Sequence, residues 1–174
     1  AVAMKDLLSN VLDDILANVP KEKIDERVSL FKRNMHNLSY EVMANPIGVK
    51  GIGKYEVKDE ESSFSKYKKG APVHVKAAIN YNSLIDHWYE GKKYEKISNG
   101  SKIKWVYLKE NQFGFDSIAF KGHEDPREIL DLIKNYIDHN KMYEQAMSKK
   151  LGMFYKAMHW GGVEDKTTSM NRFF

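Results

Sequence analysis

Apolar residues recur at three- and four-residue steps over residues 2–19, where Leu8, Leu12, Ile15, Leu16 and Val19 share one side of a helix. The spacing predicts an amphipathic helix. Pro20 ends it and suits the first position of a second helix, which reaches about Asn37 with Ile24, Val28, Phe31 and Met35 as its stripe. Two helices around a proline turn predict an antiparallel pair. Ser39 to Ala44 reads as a short strand, broken by Asn45-Pro46. Residues 48–72 read as loop, punctuated by Gly48, Gly51, Gly53, Gly70 and Pro72. His74 to Ile85, apolar and alanine-containing, reads as a helix.

In the second half, Tyr94 to Lys109 predicts a β-hairpin turning at Asn99-Gly100, two residues that tolerate positive φ. Ile103, Trp105 and Tyr107 alternate with Lys102, Lys104 and Val106, so one face should be buried. Asp116 to Phe120 predicts a third strand. Asp125-Pro126-Arg127-Glu128 predicts a helix start, with Asp125 as N-cap, Pro126 first and Glu128 closing a capping box. That helix should end near His139. A last helix, capped by Asn140, should end near Trp160 with Met142, Ala146, Met153, Phe154, Ala157 and Met158 on its inner side. The expected class is α+β: a helical domain over residues 1–160 with a small antiparallel sheet or hairpin, and a flexible C-terminal tail over 161–174.

Composition narrows the function classes. Of 174 residues, 42% are hydrophobic and 30% charged, which suits a packed core under a solvated surface. The net charge of +4 favours a polyanionic partner only weakly, and an ordinary lysine-rich surface accounts for it equally well. The absence of Cys excludes disulfides, thiolate nucleophiles and Cys zinc sites, and fits a reducing compartment. No apolar run is long enough for a membrane span, so no membrane partner is expected. The opening Ala1-Val2-Ala3, already in helical phase, is expected of a piece of a longer polypeptide.

Gly48-Val49-Lys50-Gly51-Ile52-Gly53-Lys54 fits seven positions of a phosphate-binding loop, but Tyr55 stands where a magnesium-binding Ser or Thr is required. Nucleotide hydrolysis is therefore disfavoured, although Lys50, Lys54 and Lys58 on a glycine-rich loop can approach nucleic-acid phosphates. The six His residues show no ligand spacing, the acidic clusters sit in polar stretches, and no nucleophile elbow is present. No metal site and no catalytic residue is assigned. The run Lys66-Tyr67-Lys68-Lys69-Gly70-Ala71-Pro72-Val73-His74-Val75-Lys76 places cations and a helix start together, which suits phosphate contacts or simply a solvated loop. In the tail, Met170, Phe173 and Phe174 have the spacing of a short turn that plugs one apolar pocket, on a partner or on the chain itself.

Gly53-Lys54-Tyr55, then Lys69 to Ala78, then Tyr81-Asn82, Gly100 to Lys109, Asn111, Phe113-Gly114 and Ile118-Ala119-Phe120 resemble, in order and spacing, the thumb domain of family B DNA polymerases of the T-even bacteriophage type. The resemblance covers nearly the whole chain. It implies a thumb that grips the backbone of the primer–template duplex, with Lys54, Tyr55, Lys69, His74, Lys76, Lys109 and Lys149 as matching contacts. It also implies that Met170, Phe173 and Phe174 dock on the ring-shaped sliding clamp, with Thr167 where a Gln is usual. The palm Asp-Thr-Asp and the exonuclease carboxylates are missing, so this chain should be inactive by itself. It should work beside the palm and other polymerase domains, need no cofactor of its own (Mg²⁺ belongs to the palm) and reside in the cytoplasm of a host cell. A stand-alone interaction module acting through the aromatic tail is the alternative.

Overall fold

A computed structural model of the chain describes residues 2–62, 64–90 and 92–166. Its elements, in order, are helices α1 (Val2–Leu16), α2 (Lys21–Asn34) and α3 (Tyr40–Met43), and strand β1 (Asn45–Gly48). The short helix α4 (Ile52–Tyr55) leads into strands β2 (Glu56–Val57) and β3 (Lys66–Tyr67), then helix α5 (Val73–Tyr89). Strands β4 (Lys102–Tyr107) and β5 (Ser117–Phe120) are followed by helices α6 (Arg127–Tyr136), α7 (His139–Tyr143) and α8 (Lys149–Ala157), the last two joined by a π-helical segment over Glu144–Ser148. The class is α+β with a small antiparallel sheet, as the sequence predicts. The described residues divide into two units: 2–43 with 139–166, and those within 44–138.

The first unit is helical. Pro20 caps α2 instead of entering it, and its fixed φ of −59° sets the turn between α1 and α2. The expected stripe holds, with Ile24 and Val28 buried and Phe31 half-buried on α2, and Met35 buried in the 3-10 turn (Met35–Asn37) that follows it. The stripe of α1 does not. Met4, Leu7 and Val11 are buried, whereas Leu12 and Leu16 are 41% and 73% exposed. Both sets have helical spacing, and contacts with α2, α3 and α8 select the first. The last helix is shifted as well. Its buried residues are His139, Met142, Tyr143, Met147, Leu151 and Tyr155, while Met153 is 62% exposed and Met158 is exposed. A π-helical turn closes over five residues, so it rotates everything downstream out of the phase that a pure α-helix predicts. The helix also begins at His139, so Asn140 is not its cap. Asp25, buried on α2, accepts from Lys21 Nζ (2.7 Å) and from the Tyr155 hydroxyl, tying α2 to α8.

The second unit is built on α5, whose residues 77–85 are all buried. It packs against β5, itself buried at every position, in an antiparallel sheet ordered β1-β4-β5. Several local expectations change here. Residues 40–43 form a helical turn, and the strand begins at Asn45-Pro46. Pro46 is tolerated because β1 is an edge strand. The predicted hairpin is absent: β4 pairs with β1 (Ile47 opposite Ile103) and with β5 (Val106 opposite Ile118). Residues 94–98 form no strand, because the Asn82 side chain takes both backbone groups of Ile97, accepting from its N–H (2.7 Å) and donating to its carbonyl (2.9 Å). On β4 the buried residues are Ile103 and Val106, so strict alternation fails.

Asp125 is not the cap of α6; Pro126 holds that place. The Asp125 carboxylate instead turns back, accepting from the backbone N–H groups of Lys121 (2.6 Å) and Gly122 (2.8 Å) and from the Tyr81 hydroxyl (2.7 Å). Burial and this bond push the Tyr81 phenol far above its usual value, so it remains a donor. Helix α6 stops at Tyr136, where Ile137 bridges to Leu108 and Asp138 N–H donates to the Tyr107 carbonyl. Replacing Asp125 by Ala leaves a buried hydroxyl and two N–H groups without acceptors, and should cost about 2–4 kcal/mol in urea unfolding. The exposed Glu128→Ala change should cost under about 1 kcal/mol.

Candidate nucleic-acid interface

Six of the seven implied DNA contacts, Lys54, Tyr55, Lys69, His74, Lys76 and Lys109, fall in the second unit; Lys149 opens α8 in the first. Five of the six are joined by a continuous set of contacts. Lys54 and Tyr55 close the single turn α4, entered through Gly51 at φ +91°, a left-handed conformation that glycine adopts without strain. Asn99 Oδ1 accepts from Ile52 N–H (3.0 Å), so the Asn-Gly turn caps α4. Downstream, Lys68 N–H donates to the Tyr55 carbonyl (2.8 Å), and Glu56 pairs with Tyr67 across β2 and β3. This seam brings the Lys68-Lys69-Gly70 turn beside Tyr55. Pro72 then caps α5, placing His74 and Lys76 on its first turns.

Two lysines rest on aromatic rings. Lys54 Nζ lies 5.0 Å from the centre of the Tyr55 ring, and Lys76 Nζ lies 5.7 Å from that of Tyr67. Such contacts orient the ammonium without consuming its N–H donors on a carboxylate. Among the described residues, Lys50, Lys54, Lys68, Lys69 and Lys76 take part in no ion pair. Lys66 differs: it pairs with Asp59, and its hydrogen bond holds that carboxyl below the usual range.

Tyr67 is anchored from below. Its hydroxyl donates to Asn80 Oδ1 (2.9 Å), and Asn80 Nδ2 donates to the Ser117 carbonyl of β5 (2.8 Å). Burial raises the Tyr67 phenol, which keeps the donor protonated. The surface turn is thus continuous with the buried sheet. Sequence reasoning missed three members of the site. Tyr67 and Lys68 lay within the basic run but were not singled out. Asn99 was assigned to a hairpin, and no local pattern reveals a cap that reaches back 47 residues.

The remaining candidates are placed elsewhere. Lys109 follows the Leu108 bridge, its backbone N–H donating to the Tyr136 carbonyl (2.7 Å) at the end of α6. Met170, Phe173 and Phe174 lie outside the described residues. The phosphate-loop pattern does not form a nucleotide cradle: α4 has four residues, its first N–H is taken by Asn99, and the chain turns extended at Glu56. Among the described residues no group of three His, Asp or Glu is arranged to hold a metal ion. No helix among them is long and apolar enough to cross a membrane.

The fold and site define a basic surface backed by aromatic rings and set on a small α+β unit. No family model matches the chain. It is similar to the DNA-directed DNA polymerase of Enterobacteria phage T4, with 27% identity over 133 residues, covering 75% of this chain. The chain matches only 14% of that polymerase's length. The similarity supports a relationship to a DNA polymerase.

His74 gives this site a pH dependence. Half-buried at the start of α5, it is pushed below its ordinary 6.5 by burial, so near neutrality it is an uncharged donor. The unfolded chain then binds the proton more tightly than the folded one. Its neutral form is fully compatible with folding above 6.5, and stability falls as the pH drops below that value until folded His74 is itself protonated. Urea unfolding of wild type and His74→Gln should therefore diverge in this sense between about pH 7.5 and 5.5, with the variant losing less stability on acidification. Equal losses would assign His74 no part in it.

Proposed function

We propose that this chain is the thumb portion of a family B DNA-directed DNA polymerase, holding the backbone of the primer–template duplex and tethering the enzyme to its sliding clamp. The observation that carries the reading is the lysine group around the Tyr55–Tyr67 seam: Lys54, Lys68, Lys69 and Lys76 are linked through one set of backbone and ring contacts, and among the described residues none of them takes part in an ion pair. Several cations on one seam, none neutralised by an ion pair among the described residues, suit a polyanion. Lysine is a compact point charge that suits a phosphate whatever base it carries. Neutral His74 adds a hydrogen-bond donor at the same end of α5. Lys109 and Lys149 are further phosphate contacts in this proposal. The similarity to the phage T4 polymerase supports it independently of the geometry.

In this reading nucleotidyl transfer, and the Mg²⁺ it needs, belong to a palm outside this chain, which has no catalytic residue of its own. The aromatic tail, Met170 with Phe173 and Phe174, supplies the clamp contact in a host-cell cytoplasm. The thumb's part is to hold the duplex while it advances. Contacts to phosphate make this possible, since the same grip serves every sequence that passes.

Each lost phosphate contact removes about one unit from the slope of log affinity against log salt. Lys54→Ala with Lys76→Ala should therefore reduce the slope by about two units, measured by anisotropy of a labelled duplex, with equal losses for unrelated sequences. A loss confined to one sequence, or no duplex binding by the wild type at low salt, would overturn the grip.

A further inference from the structure

Helix α2 of the first unit carries a deeply placed hydroxyl that the chain itself leaves unused. Ser29 is 6% exposed, and among the described residues its side chain takes part in no hydrogen bond. No fully sealed side-chain oxygen among those residues lacks a partner, so this one opens onto the cavity that Ser29 lines. A hydroxyl placed so deep is unfavourable until something bonds it.

The cavity holds about 610 Å³ and lies between α2 and the helices that end this unit. That volume suits a small organic molecule. Val28, Leu151 and Val163 give it apolar walls, and the Tyr143 and Tyr155 rings add flat surface. Its charge is cationic. Lys32 Nζ lies 5.6 Å from the centre of the Tyr143 ring and takes part in no ion pair among the described residues. Asp165, the one carboxylate lining the cavity among the described residues, accepts from Arg33 Nη1 (3.0 and 3.2 Å). Ser29 and Lys32 stand three residues apart, on one face of α2.

Two features of the last helix keep this space open. The π-helical turn over Glu144–Ser148 sets the phase in which Leu151, Gly152 and Tyr155 line the cavity, while Met153 is left 62% exposed. Such turns recur at functional sites. Gly152 lies inside α8, where glycine weakens a helix relative to alanine, and a Cβ there would meet nothing within 4 Å. Nothing in the chain's own packing calls for glycine at that position, whereas an occupant lying against α8 does. The opposite wall, Gly162 to Asp165, is fixed by Lys21 Nζ, which donates to the Gly162 carbonyl (3.0 Å), and by the Arg33–Asp165 pair.

We propose that this cavity binds a small organic anion, with a flat apolar body against the Leu151–Gly152 side of α8, an anionic head on Lys32, and a polar atom on the Ser29 hydroxyl. The Tyr143 ring orients the Lys32 ammonium without consuming its N–H donors. A hydrogen bond from an ammonium to an anionic oxygen is stronger than a neutral one, so the head supplies affinity and the body supplies fit.

Anilinonaphthalene sulfonate combines a flat apolar body with an anionic head and serves as the probe. Titrated into the full chain and followed by amide NMR shifts, it should move Ser29, Lys32, Gly152 and Val163 together and saturably. Gly152→Leu grows into the space from a helical position; it should leave the melting temperature unchanged or raised and abolish these shifts. Lys32→Ala should weaken the probe about tenfold and Ser29→Ala about threefold. Phenylnaphthylamine, the same rings without the sulfonate, should bind the wild type about tenfold more weakly than the sulfonate does. No saturable binding, shifts scattered outside the cavity, or undiminished binding to a folded Gly152→Leu would overturn the proposal. Should Gly152→Leu fail to fold, Lys32→Ala and the neutral probe decide: unchanged affinity in either would overturn it.

Discussion

The second unit depends on burying a helix that carries polar side chains without leaving those groups unpaired. Helix α5 carries Asn80, Asn82 and Ser83 into a region where residues 77–85 are all shielded from water. Each polar side chain there is used. Asn82 exchanges two hydrogen bonds with Ile97, Ser83 accepts from Ser65 N–H, and Asn80 bridges Tyr67 to Ser117. A buried amide without partners costs more than a satisfied one gains, so these bonds select one arrangement of three irregular segments around the helix. Among the described residues no buried side-chain nitrogen or oxygen lacks a partner.

That constraint reaches the surface. Tyr67 stands on Asn80, Lys76 lies over Tyr67, and the same two-residue ladder that fixes Tyr67 brings Lys68 to the Tyr55 carbonyl. The proposed grip is therefore not a set of loose loop lysines. Its loops are held by side chains of the buried helix, and the Tyr55 and Tyr67 rings orient Lys54 and Lys76. Under the proposed function, a surface that holds every sequence would need positioned charge without base readout, which this arrangement would suit.

Much of this was legible in the sequence, and the failures have physical causes. The α+β class, Pro20, the stripe of α2, helix α5 and strand β5 followed from periodicity and punctuation. The basic run from Lys66 to Lys76 was visible, as was Lys54, because charge and glycine spacing are local; Tyr55 as a contact came only from the family resemblance. What periodicity misplaced were competitions decided at a distance. Two stripes on α1 have equal spacing, and packing buries Met4, Leu7 and Val11. A π segment rotates the last helix. Asn82 replaces the expected hairpin ladder, and Asp125 leaves its capping place for Tyr81. Asn99, Asn80 and Tyr67 act through partners 13 to 47 residues away, which no local pattern encodes.

The most direct test of the grip is lysine footprinting with and without duplex DNA, read by mass spectrometry after brief acetylation at low salt. The account predicts that duplex protects Lys54, Lys68, Lys69 and Lys76 together, leaves Lys92 and Lys141 as reactive as before, and does so equally for unrelated sequences. Uniform protection of all lysines, or protection that omits the Tyr55–Tyr67 seam, would contradict it.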